Sequence, residues 1–566
     1  MNRIIVAAMT RVGVAVVLLV ATGCQTPPPT FDLIVRNGTV YDGVSRDPQQ
    51  IDVGVKGDRI TALGDLSADN AGRVIDATGL VVAPGFIDVQ GQSGISLLAD
   101  GNAESHLWQG ITTEVIGEGN SPAFWTSQSA DADALRALGL TFDWTGFDGY
   151  FRKLEQRGMA LNLGTLIPAT MVRREVLGLV NRDPSPQELS RMEALVDQAM
   201  RDGALGLSSA LIYPPGSFAK TSELIALARV ASRHGGFYVS HVRGESFNLM
   251  TALDEAIEIG REAALPIVIF HLKVAARANW GTMDQVLARL DAGRRAGRVH
   301  VTMYPYTAGG TGLAASLPLW VQEGGREKMV ERLKDPAIRA RARAEIETTI
   351  DGWENLVLAS GLEGIQIASV PQTADQTIIG KRLTEIAAAR NQDPWTTFFE
   401  LLIETDGRAG ALYHMMSEDD VKTGLLRSGA TIGTDSAAIH AHGILARGAP
   451  HPRAYGTFPR ILGKYVRDEK LLPLGDAVRR MTYDAAKQFH IENRGAIDKN
   501  YMADLVVFDA ATVRDNATYE RPHQYSTGIM HVVVNGVPVI DPRGLTGARP
   551  GRPIYGSARL APRPAP

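Results

Sequence analysis

After residue 30, the stretches FDLIVRNGTVYDG, IDVGVKGDRITALG and RVIDATGLVVAPG alternate apolar and polar positions between Asn-Gly, Asp-Gly and Gly-Asp turns. A period of two broken by such turns predicts short antiparallel strands. ADLVVFDA and MHVVVNGVPVID repeat the pattern near the other end, so residues 31–83 and 495–545 are expected to form one small β-sandwich. Between them the pattern becomes near-continuous apolar runs separated by helical stretches. The runs are GFIDVQGQ, ITTEVIGEG, ALNLGTLIP, ALGLSSALIYP, FYVSHVRGE, PIVIFHLKV, VHVTMYPYTAG and ATIGTDS, each ending in polar or glycine-rich residues. One of the helices, SPQELSRMEALVDQAM, opens on a capping box of Ser185 with Glu188 and has Pro186 in its first turn. Its apolar residues Leu189, Met192, Val196 and Ala199 fall on one face.

Alternating strands and helices over residues 84–494 predict an α/β chain folded as a TIM-like (β/α)8 barrel, with functional groups at the C-terminal ends of its strands. The spacing is even up to the seventh strand. The excess at about residues 315–428 is expected to be an insertion before strand 8 that caps the barrel mouth. It includes a charged helix, DPAIRARARAEIE, with Asp335 as N-cap, while ALYHMM at 411–416 fits either the insertion or the barrel rim. Residues 546–566, rich in proline and arginine without acids, read as a flexible tail.

A chain of 566 residues exceeds what one core usually fills, and its hydrophobic and charged shares are those of an ordinary globular protein. The formal charge of −4, without long runs of either sign, leaves no electrostatic footprint for nucleic acid. A small molecule or short peptide is the expected partner. The first 24 residues differ: Arg3 and Arg11, no acid, an apolar run from Val14 to Val20, then small residues to Cys24. That is the construction of an export signal, too short to span a membrane comfortably. Ala21-Thr22-Gly23-Cys24 resembles a bacterial lipobox, which implies a lipidated Cys24, a tether at 25–30 and a periplasmic-facing membrane lipoprotein. Gln25 after the cysteine favours the outer membrane; plain secretion with a free cysteine is the alternative. Cys24 is the sole cysteine, so any metal site must use histidine, carboxylate or water.

His241 ends the fifth strand and His271 the sixth, and neighbouring barrel strands would bring the two imidazoles together. Asp435 ends the eighth and faces the same opening. Two neutral imidazoles suit Zn, Mn or Fe, and a carboxylate beside them can take a proton from an activated water. Taken singly, each is as well explained as a satisfied core residue or a helix cap; three ligand-type residues at corresponding strand ends point to a site.

With these residues in place, the chain resembles the N-acyl-D-amino-acid deacylases, the D-aminoacylase branch of the amidohydrolase superfamily. The matching strings run in order through nearly all of the chain after Cys24: APGFID, GITTEVIG, GLSSALIYPPGSFA, SHVRGES, HLKVAARANWG, YPYTAGGTG, GTDS, HPRAYGTFPRILG and ADLVVFDAATVRD. The resemblance implies His241 and His271 as metal ligands, and Asp435 as the group that activates water and then protonates the leaving amine. It also implies a sandwich from both termini beside the barrel and a covering insertion. Two departures stand out. The family's first-strand histidine pair is Gln90 and Gln92 here, and amides are poor ligands, so one of two metal positions is expected to be lost. Where the family typically has Gly-Asn-Cys-Gly, this chain has Gly117-Glu118-Gly119-Asn120. Glu118, one position before the missing cysteine, is the expected replacement ligand, with the flanking glycines absorbing the offset.

Lys273 shares a strand face with His271, Tyr304 ends the seventh strand, and Arg453 lies in a segment that resembles the family's substrate-carboxylate arginine. Together they imply a clamp on the free carboxylate of an N-acyl amino acid or peptide. A serine that assists in the family aligns with Gly310. Gln90 and Gln92, freed from a metal, could bind substrate or fix Glu118. The expected activity is hydrolysis of N-acyl-D-amino acids or related D-residue peptides with one divalent metal, most simply zinc, with Mn or Fe possible. Two alternatives stand beside it. A cyclic amide hydrolase is disfavoured by the missing histidines and by a fourth strand without lysine; a binding lipoprotein that has lost catalysis is opposed by the retained His241, His271, Lys273, Asp435 and Arg453.

Overall fold

The computed structural model describes residues 30–126, 129 and 131–559. The expected export signal, Cys24 and nearly all of the tether lie outside the described residues, as does the end of the tail from 560. No helix of the described residues is long and apolar enough to cross a membrane.

Each of the eight apolar runs forms a strand: β1 (Phe86–Asp88), β2 (Ile111–Ile116), β3 (Asn162–Thr165), β4 (Leu207–Ala210), β5 (Tyr238–His241), β6 (Ile267–Ile269), β7 (Val299–Met303) and β8 (Thr431–Ile432). β1, β2 and β3 pair in parallel. The short extension Ile167–Pro168 beyond β3 pairs in parallel with β4, and β4 through β8 continue in order. A parallel bridge from Gly91 to Ser436 joins the far ends of β1 and β8. Apart from His300, which is part-exposed, the residues of these strands are buried, which explains why they read as continuous rather than alternating apolar runs. The helix Pro186–Asp202 forms as its sequence requires: Ser185 accepts from the Glu188 N–H, the Glu188 carboxylate returns the bond, and Met192, Val196 and Ala199 are buried.

The alternating termini form two sheets. In the first, Phe31–Arg36 lies between Asp52–Lys56 and Ala71–Asp76, with Arg59–Gly64 outermost. In the second, Leu505–Phe508 pairs with Val81–Pro84, bringing the C-terminal strands against N-terminal ones. Leu33, Val35, Val53 and Val55 pack with Val82, Leu505, Val507 and Val533, while Ile34 turns to the other face against Phe31 and Leu66. That division follows from the period of two.

Between β7 and β8 the chain builds a separate layer: an antiparallel sheet of Ala308–Gly312, Gly410–His414 and Ile365–Ser369, with helices including Pro336–Thr348 and Leu356–Ser360. Asp335 caps the first of these helices through the Ala337 N–H. The layer has its own apolar core, in which Leu333, Ile346, Ile365, Phe398 and Tyr413 are buried. The segment 411–416 belongs here through the strand Gly410–His414.

The stretch read as a flexible tail departs from that reading as far as residue 559. Pro553–Ile554 pairs in parallel with β3, and the Leu163 N–H donates to the Arg552 carbonyl at 3.1 Å. Tyr555 packs edge-on against Phe151, and Arg559 pairs with Asp148 at 3.0 Å. Backbone pairing to an otherwise open strand edge orders the segment despite its composition.

Candidate active site

The residues that close β2, β5 and β6 meet at one point. Glu118 Oε1 lies 2.8 Å from His241 Nδ1 and 3.3 Å from His271 Nε2, and the two ring nitrogens are 2.9 Å apart. These three residues form a group able to hold a metal ion, and all are buried. Two imidazole nitrogens and a carboxylate oxygen aimed at one another are the donor set of a His-His-carboxylate zinc site, and the residues fit such an ion.

The backbone explains how Glu118 reaches this point. Gly117 has φ of 102° and runs against the Leu166 backbone, so a side chain there would be strained and would collide. This turn aims Glu118 at the histidines. His271 and Asp435 also occupy the left-handed region, with φ of 35° and 48°; such strain in non-glycine residues gathers at functional sites.

The two glutamines turn to the same carboxylate. Gln90 and Gln92 donate their amide N–H groups to Glu118 Oε2 at 3.0 and 2.9 Å, leaving Oε1 for the histidines. Gln90 Oε1 accepts from the Thr302 hydroxyl at 3.0 Å, so its amide orientation is fixed on both sides. Burial would push the Glu118 carboxyl up, but the bonds from His241 and His271 outweigh it and hold the group well below the usual carboxylate range. Burial and Lys273 pull His271 down, while Glu245 and Glu118 on opposite sides of the ring raise it further, to about 9. Binding a cation at Nε2 must therefore displace a proton from that ring.

Lys273 Nζ lies 2.5 Å from Glu245 Oε1 and 2.6 Å from His271 Nδ1, and its head is buried. Arg453 begins the helix Arg453–Arg460, and its Nη1 is 2.7 Å from Asp435 Oδ2. That ion pair lacks hydrogen-bond alignment, and the buried Nε and Nη1 of Arg453 have no hydrogen-bond partner. The guanidinium carbon also sits 4.7 Å from the centroid of the Tyr304 ring. A buried guanidinium facing a cavity, with Nε unpartnered and Nη1 held only by an unaligned ion pair, is a ready anion site. His451 secures the turn behind it: Nε2 bonds the Ala308 carbonyl and Nδ1 accepts the Arg453 N–H, each at 3.0 Å. Burial and the nearby Arg453 hold His451 neutral, which this pairing requires. Burial raises the Asp435 carboxyl; Arg453 opposes this and Glu118 adds to it, for a net upward shift.

Gln92, Glu118, His241, His271, Lys273, Tyr304, Asp435 and Arg453 all line one cavity of about 540 Å³. Gln90 stands behind its wall, reaching it through Glu118. The inserted layer closes one side with Leu356, Tyr413 and Met415, and Gly310 faces Arg453 across a gap that a Cβ would partly fill. Sequence reasoning missed Glu245 and Tyr213. The first follows His241 by four residues, a spacing that could have drawn attention to it; the second gave no signal before its hydroxyl was seen 2.9 Å from Thr311 Oγ1.

Paired imidazoles and a carboxylate at parallel strand ends, beside a second carboxylate and an anion-binding arginine, define a metal-dependent amidohydrolase site. Residues 73–540 match the amidohydrolase family, and the chain belongs to it, in the branch of the D-aminoacylases. It is 34% identical to the D-aminoacylase of Alcaligenes xylosoxydans xylosoxydans, over 94% of this chain and 99% of that protein. It is also 34% identical to the N-acyl-D-glutamate deacylase of the same organism, over 94% and 98%. Among solved structures, the N-acyl-D-glutamate deacylase of Bordetella bronchiseptica, complexed with zinc and a phosphonate mimic of the tetrahedral intermediate, superposes with a TM-score of 0.78. It is 31% identical, and the match covers 93% of this chain and all of that one.

Proposed function

We propose that this protein hydrolyses the amide bond of N-acyl-D-amino acids or related D-residue peptides. The observation that carries the reading is the convergence of Glu118, His241 and His271 beside Asp435 and the buried guanidinium of Arg453 in one cavity. The D-configuration rests on relatives that act on N-acyl-D-amino acids. In this reading the eight parallel strands close as a TIM-like barrel and the two terminal sheets stack as a β-sandwich; the bridge between Gly91 and Ser436 and the shared apolar cluster support this.

Glu118, His241 and His271 would hold one divalent metal, most simply zinc. Such an ion supplies Lewis acidity to an amide carbonyl and lowers the pKa of water. The protein's own groups supply the rest. Arg453 offers one edge of its guanidinium to the substrate carboxylate, with Lys273 and Tyr304 alongside, and so fixes the acyl carbonyl relative to the histidines. As the guanidinium turns to substrate, its hold on Asp435 weakens. Asp435 then takes a proton from the attacking water and delivers it to the departing amine nitrogen, so it ends the cycle as it began. Gln90 and Gln92 fill the far side of Glu118 with neutral donors, which supports a single metal position in this chain.

The N-terminal pattern supports export and anchoring through a lipidated Cys24 on the periplasmic face of the outer membrane. Metabolic labelling with a fatty-acid analogue, lost in Cys24→Ala, tests that point. The activity is tested on paired N-acetyl-D- and N-acetyl-L-amino acids: turnover confined to the D series is expected, and turnover of neither series by the metal-loaded protein would overturn the proposal.

A further inference from the structure

Glu245 stands across the histidine pair from Glu118. Its Oε1 is 2.8 Å from His271 Nδ1, 3.9 Å from His241 Nε2 and 2.5 Å from Lys273 Nζ. The ring nitrogens turned away from Glu118 thus lie nearest one buried carboxylate oxygen; neither contact is aligned as a hydrogen bond, and the buried His241 Nε2 has no hydrogen-bond partner. Lys273 completes a tight triangle, with its Nζ 2.6 Å from His271 Nδ1.

That triangle offers His271 two arrangements. If Nδ1 keeps its proton and donates to Glu245, Nε2 presents a lone pair toward Glu118 and His241. If Lys273 donates to Nδ1 instead, the ring proton sits on Nε2, where a metal ligand must be bare. A carboxylate 2.8 Å from Nδ1 favours the first: the pair is not aligned as a hydrogen bond, but the negative charge favours a proton on Nδ1, and the bond that Glu245 accepts from Lys273 Nζ draws the lysine away from the ring.

The loop that carries Glu245 is held from the inserted layer. Glu354, buried between the helices Pro336–Thr348 and Leu356–Ser360, accepts the backbone N–H of Glu245 at 2.8 Å and that of Ser246 at 3.4 Å. The Glu245 carbonyl accepts from the Ala275 N–H at 3.0 Å, so its backbone is fixed on both sides.

We propose that Glu245 is a positioning residue that sets the proton arrangement of His271 for metal binding, and that Glu354 ties this function to the inserted layer. The inference rests on the metal-site reading above.

The test is zinc affinity, measured by competition with a chromophoric chelator on wild type, Glu245→Ala, Glu245→Gln and Glu245→Ala/Lys273→Met, with circular dichroism melts to establish folding. Glu245→Ala should bind zinc about 10- to 100-fold more weakly, in line with losses of carboxylates behind metal-bound histidines. Glu245→Gln still accepts a ring proton and should fall between it and wild type. Removing the lysine as well should recover most of the lost affinity, because nothing then donates to Nδ1; a purely structural role would not produce that recovery. Glu354→Leu should weaken binding in the same direction, with Glu354→Gln close to wild type.

Zinc bound by Glu245→Ala and Glu245→Gln within twofold of wild type would overturn the inference, as would a double variant no tighter than Glu245→Ala. Should Glu245→Ala not fold, Glu245→Gln alone decides by the same criterion. Zinc binding absent from wild type would instead bring down the metal-site reading itself, so the two failures are distinguishable.

Discussion

Replacing Arg453 with methionine removes the group we assign to the substrate carboxylate while keeping much of its buried volume. In the structure its buried Nε has no partner and its Nη1 meets Asp435 only in an unaligned ion pair, so a bound carboxylate that draws the guanidinium from Asp435 would gain a bidentate pair of charge-assisted hydrogen bonds. Each such bond contributes about 1.5–3 kcal/mol, so their loss costs about 3–6 kcal/mol. That corresponds to a fall of about 10²- to 10⁴-fold in kcat/KM. The variant also frees Asp435 from its 2.7 Å ion pair, which would change rates with any substrate. The assay therefore compares an N-acetyl-D-amino acid with its carboxamide in both proteins. The acid should lose the full factor, whereas the carboxamide, which cannot form the charged pair, should lose about tenfold or less. An equal fall on both substrates, or less than tenfold on the acid, would refute the assignment.

Other substitutions probe separate parts of the site. Asp435→Asn should lower kcat by about 10²- to 10⁴-fold while zinc content stays at the wild-type level, and an active variant would remove Asp435 as the base. Because burial raises the Asp435 carboxyl above its ordinary value, kcat/KM should fall as pH drops through a pKa higher than that of a free aspartate; an acid limb at or below the free-aspartate range would contradict this. Gln90→His with Gln92→His should add a second metal equivalent in excess zinc, as read by elemental analysis, since a related D-aminoacylase has a binuclear centre; unchanged stoichiometry would count against the glutamines as the cause of a single position. Burial and the neighbouring Glu245 push Glu354 up to about 7. An acid raised on folding favours the folded state below its unfolded pKa and loses that advantage as pH rises through 7. Glu354→Gln should therefore melt higher than wild type at pH 8 and no higher at pH 5, and identical differences at both values would refute the buried-charge argument.

Much of the fold was written in local pattern. The eight strands read as apolar runs because the strands are almost wholly buried, and their polar ends marked His241, His271 and Asp435. Glu118 was legible only through the family resemblance, one position before the missing cysteine, and the structure shows the turn that makes it useful. What escaped depends on contacts between distant segments. Glu354 reaches Glu245 across 109 positions, and no periodicity in either neighbourhood announces the pair. The tail misled for a different reason. Its pairing with β3 uses backbone N–H and C=O groups, which every composition carries, so proline and arginine content said little about order there. The two glutamines were legible as a lost histidine pair, but their common target on Glu118 Oε2 required the geometry.

The most direct measurement is metal content per chain, by elemental analysis of wild type and Glu118→Ala expressed without the first 24 residues. About one zinc equivalent in wild type, lost in the variant, is the predicted result, because the site needs the carboxylate to complete two imidazoles. A wild-type protein that holds no metal even after reconstitution would contradict the proposed chemistry and leave a binding protein built on an inactive site.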